Sequence, residues 1–82
     1  MNVRKHYMTL CIYNNTEVTY RNIDKNIEIT FEQAYNKGFK ELVVDIKGKI
    51  LKNNGFNDAE VECFLNFLKI NKKLIKEEAL CA

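Results

Sequence analysis

Proline and tryptophan are absent from this chain, and no apolar run approaches the ~18 consecutive residues that a membrane-spanning helix needs. The sequence therefore predicts no transmembrane segment. Cysteine occurs only at Cys11, Cys63 and Cys81, which lie far apart and form no CxxC pair. This spacing favours reduced thiols over a disulfide framework or a zinc site, so we expect neither metal nor cofactor.

Residues that carry catalysis are equally scarce. His6 is the only histidine, and no cysteine motif defines a partner for it. The three glycines each fall at a predicted turn or helix end, so none belongs to a phosphate-binding loop. Asp45 and Glu41 could form an acid–base couple, although a charged strand and turn explain both. We predict no enzyme activity.

The composition indicates one small folded domain over residues 1–82. Hydrophobic residues make up 46% of the chain, which is too apolar for a disordered segment, and the net charge is only +2. This charge argues against a strongly basic nucleic-acid binder. Asparagine, lysine and isoleucine are abundant, a composition similar to that of small accessory proteins of phages and mobile elements. The basic start lacks a signal-peptide cleavage site, so we expect a cytoplasmic protein.

Two alternating stretches predict an N-terminal hairpin. Apolar residues alternate from Met8 to Ile12, and a second alternation follows the turn at Asn14-Asn15. A two-residue loop would place Leu10 and Ile12 on the face of Glu17 and Thr19. A three-residue loop, residues 14–16, sets Ile12 opposite Val18 and Leu10 opposite Tyr20; we prefer it because it collects the apolar side chains on one face.

A capping-box pattern predicts a short helix in the middle of the chain. Thr30 and Gln33 have the spacing at which each side chain can bond the other's backbone amide. Apolar residues then follow at helical spacing, and Gly38 is placed to end the helix in a left-handed conformation. We therefore expect a helix over residues 31–37, with Ile27 and Ile29 leading into it or adding a short strand.

The second half of the chain predicts a hairpin and a long helix. Residues 40–52 could be helical, but β-branched residues and Gly48 favour a hairpin that turns at Lys47-Gly48. Asn57 and Glu60 form a second capping box, which starts a helix at residue 58 that ends between residues 70 and 80. A disordered tail over residues 76–82 is the alternative for the end. The predicted fold is α+β, a small antiparallel sheet with a short helix and a longer C-terminal helix, in the order ββαββα.

The C-terminal helix has more apolar surface than a small domain usually needs. One stripe contains Val61, Phe64, Leu65 and Leu68, and the stripe beside it contains Cys63, Phe67, Ile70 and Leu74. Together they cover roughly 220° of the helix, against a usual stripe of somewhat over 100°. Either the helix lies deep in the fold, or the second stripe is a surface for self-association or for a partner.

Lysines and tyrosines give two further candidate surfaces. Lysines recur at helical spacing on one face of the helix: Lys69, Lys72, Lys73 and Lys76. They could contact phosphates, although we prefer the explanation that they form a solvated helix end that satisfies the helix dipole. A further lysine cluster surrounds Lys47-Gly48. Tyr7 and Tyr13, if they point away from the core, would form an aromatic recognition surface on the first hairpin.

The absence of catalytic motifs and the surplus apolar stripe favour a non-catalytic protein-binding module. The specific hypothesis is a small inhibitor or accessory protein of a phage or mobile element, of the anti-CRISPR type. Its predicted partner contacts are Phe67, Ile70 and Leu74, together with Tyr7 and Tyr13. The alternative is a nucleic-acid-binding regulator that uses the lysine face, and a homodimer through the C-terminal helix is compatible with both.

Overall fold

The computed structural model describes residues 8–13, 15–35 and 37–81, which form five strands followed by one helix. The strands are β1 Met8–Tyr13, β2 Thr16–Ile23, β3 Asn26–Tyr35, β4 Gly38–Asp45 and β5 Ile50–Asn54, and the helix is α1 Asp58–Cys81. Each strand pairs antiparallel with the next, in the sheet order β1-β2-β3-β4-β5. The predicted α+β class, the antiparallel sheet and the C-terminal helix are confirmed, but the order ββαββα is not.

Strand β3 replaces the short helix that was predicted over residues 31–37. Its apolar residues Ile27, Ile29 and Phe31 alternate along the strand, and all three are buried on one face of the sheet. Both neighbouring strands pair with β3 along its central part, which satisfies the backbone groups that a helix would otherwise satisfy internally. The capping-box prediction at Thr30 is therefore wrong, because tertiary pairing outweighs a local motif.

Two of the turns are set by residues that tolerate a left-handed backbone. Asp24 and Lys25 join β2 to β3 with φ values of 52° and 71°, the pattern of a type I′ turn. Asn15, with φ of 60°, supplies the left-handed residue before β2. Because Ile23 pairs with Asn26, the connection between β2 and β3 is a tight two-residue turn.

The register between β1 and β2 corrects the predicted three-residue loop. Tyr13 pairs with Thr16 across a two-residue loop, and Ile12 pairs with Glu17. A bulge between Thr9 and Cys11 then shifts the register by one residue, so that Met8 pairs with Tyr20. The bulge therefore brings Met8 opposite Tyr20 even though the loop has only two residues.

The hairpin predicted at Lys47-Gly48 is confirmed, and the helical alternative for residues 40–52 is wrong. Asp45 holds the turn: its carboxylate accepts hydrogen bonds from the backbone amides of Lys47 at 2.9 Å and Lys49 at 2.8 Å. Gly48, with φ of 94°, adopts a conformation that favours glycine, and its amide donates to the carbonyl of Asp45. The side chain of Asp45 thus sets the geometry of this turn.

Helix α1 begins where the second capping box predicts. The Glu60 amide donates to Asn57 Oδ1 at 2.8 Å, and the Asn57 amide donates to Glu60 Oε1 at 3.0 Å. The helix then continues for 24 residues to Cys81, through most of the range for which a tail was the alternative. Ile75 and Ala79 are buried, so its last turns pack against the sheet.

The core lies between one face of the sheet and α1. Aromatic rings fill its centre: Phe31 stacks on Phe64 with ring centroids 4.8 Å apart, and Phe56 meets Phe64 edge-on at 4.9 Å. Around these rings lie the other buried hydrophobic residues, namely Val18, Tyr20, Ile27, Ile29, Leu42, Val44, Val61, Leu68, Ile75 and Ala79. Within the described residues one helix covers this face of the sheet, and both of its sides carry exposed residues.

Candidate interaction surfaces of the C-terminal helix

Polar contacts join α1 to the sheet near both ends of the helix. Near its start, Lys40 Nζ on β4 lies 3.6 Å from Glu60 Oε2. Near its end, the Tyr20 hydroxyl donates to the backbone carbonyl of Glu78 at 3.4 Å, and the side-chain Nδ2 of Asn22 donates to the backbone carbonyl of Ala79 at 3.3 Å. The helix therefore passes from β4 to β2, and its register decides which side chains remain outside.

Tyr20 belongs to the core rather than to a recognition surface. Its side chain is 3% exposed, and burial raises the pKa of its hydroxyl, with a smaller contribution from the Glu78 carboxylate. Of the other tyrosines predicted on the first hairpin, Tyr7 lies outside the described residues, and the structure describes only the backbone of Tyr13.

One side of α1 carries the second apolar stripe of Cys63, Phe67, Ile70 and Leu74, here called the apolar flank. Ile70 is 72% exposed and Leu74 is 55% exposed, whereas Phe67 is half-buried. The Phe67 ring meets Phe31 edge-on with centroids 6.0 Å apart, so it packs against the core. The stripe is therefore divided: Phe67 joins the sheet and the helix, while Ile70 and Leu74 face solvent.

A second face of α1 carries Lys69, Lys72, Lys73 and Lys76, here called the basic flank, and Lys73 at its edge lies beside Ile70. All four side chains are exposed. Within the part of the chain that the structure describes, no carboxylate forms an ion pair with any of them. Lys40 and Lys52 differ in this respect, because they lie 3.6 Å and 3.0 Å from carboxylate oxygens of Glu60 and Glu41.

A groove between the basic flank and the β4–β5 turn has a volume of about 240 Å³. Ile46, Leu65 and Leu68 supply aliphatic surface, and Lys47, Lys69 and Lys72 supply three ammonium groups, with Gly48 completing the lining. We call this the basic groove. The sequence indicated two separate lysine clusters, and the fold brings Lys47 of the hairpin cluster beside Lys69 and Lys72 of the helical cluster.

The groups considered for acid–base chemistry have structural roles. The Asp45 carboxylate accepts the amide hydrogen bonds of its turn, and Glu41 Oε1 lies 3.0 Å from Lys52 Nζ. Over residues 8–13, 15–35 and 37–81, no group of three or more histidine, cysteine, aspartate or glutamate side chains is placed to hold a metal ion. His6 lies outside these ranges.

Comparisons with protein-family models, with curated proteins and with solved structures find no match to this chain. Among the residues that the structure describes, no helix has the length and apolar character needed to cross a membrane.

Proposed function

We propose that this protein is a non-catalytic protein-binding module that contacts its partner through the apolar flank of α1. The observation that supports the proposal is the exposure of Ile70 and Leu74, two large aliphatic side chains one helical turn apart. Lys73 and Glu77 are exposed beside them. An apolar centre with a charged border is the usual arrangement of a protein–protein contact.

The role proposed for Phe67 differs from that of Ile70 and Leu74. Because Phe67 packs against Phe31, it supports the flank from beneath and offers its outer edge to a partner. A Phe67→Glu variant would place a charge against the core, so it tests folding and binding together. Ile70 and Leu74 provide the cleaner test, since their replacement leaves the core intact.

The direct experiment compares a double variant, Ile70→Glu with Leu74→Glu, with the parent in affinity capture from cell lysate treated with nuclease. Leu51→Glu is the matched control, because Leu51 is also a large exposed aliphatic residue, at 46%, but lies on β5. We expect the double variant to lose a partner that the parent and the control retain. Equal capture by all three proteins would refute the proposal.

A homodimer is one form of this proposal, since two apolar flanks could pair across a two-fold axis. Sedimentation of the parent over a range of concentrations tests it. A dimer that Ile70→Glu converts to monomer would assign the flank to self-association; a parent that is monomeric throughout would leave the flank to a different protein.

The narrower hypothesis of a phage or mobile-element inhibitor, including the anti-CRISPR type, rests on size and composition. It predicts that the captured partner is an enzyme of the host, and that adding this protein lowers the activity of that enzyme. Capture of a partner whose activity is unaffected would count against inhibition while leaving the binding module in place.

Nucleic-acid binding is the second candidate, favoured by the convergence of Lys47 with Lys69 and Lys72. It predicts binding that weakens steeply as salt is added, because lysines on phosphates release counterions. A variant with Lys69, Lys72, Lys73 and Lys76 all replaced by glutamine should then lose binding. Retention of nucleic-acid binding by that variant would exclude this candidate.

A further inference from the structure

We infer that the basic groove binds an acidic peptide segment of a protein partner, with an aliphatic side chain in the groove and carboxylates on the lysines around it. The inference names the chemistry of a partner and so extends the proposed protein-binding function. The groove is lined by Lys69 and Lys72 of α1 but not by Ile70 or Leu74, so that either surface can be disproved without the other.

The aliphatic part of the groove sets the kind of group that enters it. Ile46 and Leu65 are half-buried, and Leu68 beneath them is 2% exposed, so they offer a partly covered apolar surface. A volume of about 240 Å³ is below the roughly 300–1,000 Å³ of pockets that enclose a drug-sized ligand. The groove therefore has room for one or two aliphatic side chains rather than for a cofactor.

The charges around the groove set the sign of the partner. Within the described residues, no ion pair involves Lys47, Lys69 or Lys72, whereas Lys40 and Lys52 each have a carboxylate of this chain nearby. The Asp45 carboxylate of the same turn is bonded to backbone amides, so three ammonium groups around the groove leave an excess of positive charge. Carboxylates that flank an aliphatic residue would complement them, which favours an acidic segment over a neutral or basic one.

The chemistry of the lining also favours peptide over nucleic acid. Recognition of single-stranded nucleic acid usually combines basic residues with aromatic rings on which bases stack. Among the described residues that line the groove, none is aromatic and none is arginine. Covering its leucine and isoleucine surface with phosphate and sugar would contribute little favourable free energy. An apolar side chain of a peptide would bury apolar surface on both partners there, which is favourable.

The turn that carries Lys47 is already ordered by the protein. Asp45 accepts hydrogen bonds from the amides of Lys47, Gly48 and Lys49, which fixes the backbone of the turn beside the helix. Lys69 and Lys72 lie one turn apart on the rigid helix. Little backbone ordering is therefore needed on binding, which favours affinity for a short segment.

The test uses a capped, fluorescently labelled octapeptide with two central leucines between two runs of three glutamates. Binding to the full chain is measured by fluorescence anisotropy. One comparison peptide has glutamine in place of every glutamate, and another has serine in place of both leucines. We expect each change to weaken binding about tenfold or more, because each removes one of the two complementary features.

The matched protein variants keep the overall charge equal. Lys47→Gln with Lys72→Gln removes two charges from the groove, and Lys37→Gln with Lys73→Gln removes two exposed charges that do not line it. We expect the first pair to weaken peptide binding about tenfold and the second to change it less than about twofold. Thermal unfolding of both pairs verifies that the fold is retained.

Several outcomes would overturn the inference. Equal weakening by the two variant pairs, or equal binding of the serine peptide, would show attraction to net charge without use of the groove. Absence of binding at millimolar peptide would exclude the site. If a 20-nucleotide single strand bound more tightly than the peptide and lost its affinity in the Lys47 and Lys72 variant, the groove would belong to nucleic acid instead. None of these results depends on Ile70 or Leu74.

Discussion

Two isoleucines five residues apart on α1 offer a direct test of which side of the helix belongs to the core. Ile75 is 2% exposed and Ile70 is 72% exposed, although both are the same residue type in the same helix. Changing each to alanine removes the same three carbon atoms. Any difference in the free energy of unfolding therefore reports on their surroundings.

The expected magnitudes follow from these exposures. At about 0.8 kcal/mol for each buried carbon, Ile75→Ala loses about 2.4 kcal/mol of transfer free energy. The cavity that remains raises the loss to about 3–4 kcal/mol. Ile70→Ala removes carbons that are mostly in water and introduces a better helix former, so its change should stay within about 0.5 kcal/mol of zero.

Urea unfolding followed by circular dichroism at 222 nm measures both changes. With a slope of about 1 kcal/mol per molar urea, Ile75→Ala should lower the midpoint by about 3–4 M and Ile70→Ala should change it by less than about 0.5 M. A loss below about 1 kcal/mol for Ile75→Ala would refute the packing of the last helical turns. A loss above about 2 kcal/mol for Ile70→Ala would refute the assignment of this residue to a free surface.

Three further changes test the cap, a buried hydroxyl and a turn. Asn57→Ala should lower the free energy of unfolding by about 1 kcal/mol, while Asn57→Asp, which keeps an oxygen for the Glu60 amide, should not. The pKa of Tyr20 is raised in the folded protein, so the unfolded chain releases this hydroxyl proton first and stability should fall as pH rises above about 10. The measurement is Tm over a series of pH values, in which the stability of Tyr20→Phe should fall less steeply than that of the parent. Gly55→Ala should cost about 1–2 kcal/mol in chemical unfolding, since φ is 102° and the added Cβ would lie 3.0 Å from Lys40 Cγ; an unchanged midpoint would contradict this strain.

Two capping boxes in this chain show what local sequence can and cannot predict. The pattern at Asn57 and Glu60 starts a helix as predicted, with both reciprocal hydrogen bonds formed. The pattern at Thr30 and Gln33 lies within a strand, and Gln33 Nε2 instead donates to Thr16 Oγ1 on β2 at 3.3 Å. The difference comes from partners distant in sequence, because β2 and β4 pair with the Thr30 segment on both sides. Alternation from Ile27 to Phe31 was the local signal for the strand.

The candidate surfaces were also predicted only in part from the sequence. Helical periodicity correctly grouped Phe67, Ile70 and Leu74 on one side of the helix, but it could not tell which of them reaches the core. That depends on the path of the helix over the sheet, where Phe67 meets Phe31 and the other two extend beyond it. The basic groove could not be predicted, because residues 47 and 69 become neighbours only when the hairpin and the helix pack together.

The meander order of the strands has a consequence for how the chain folds. Every strand pairs with the strand that follows it, so most of the sheet forms from contacts close in sequence, which favours rapid folding. The helix comes after all five strands in the sequence, so a chain that lacks α1 can form the sheet but cannot cover it. Phe31, Ile29 and Val44 would then lie on an uncovered apolar face, which is a site for association between chains. A chain truncated before residue 58 should therefore aggregate more than the full chain, and a chaperone that shields apolar surface should reverse the effect.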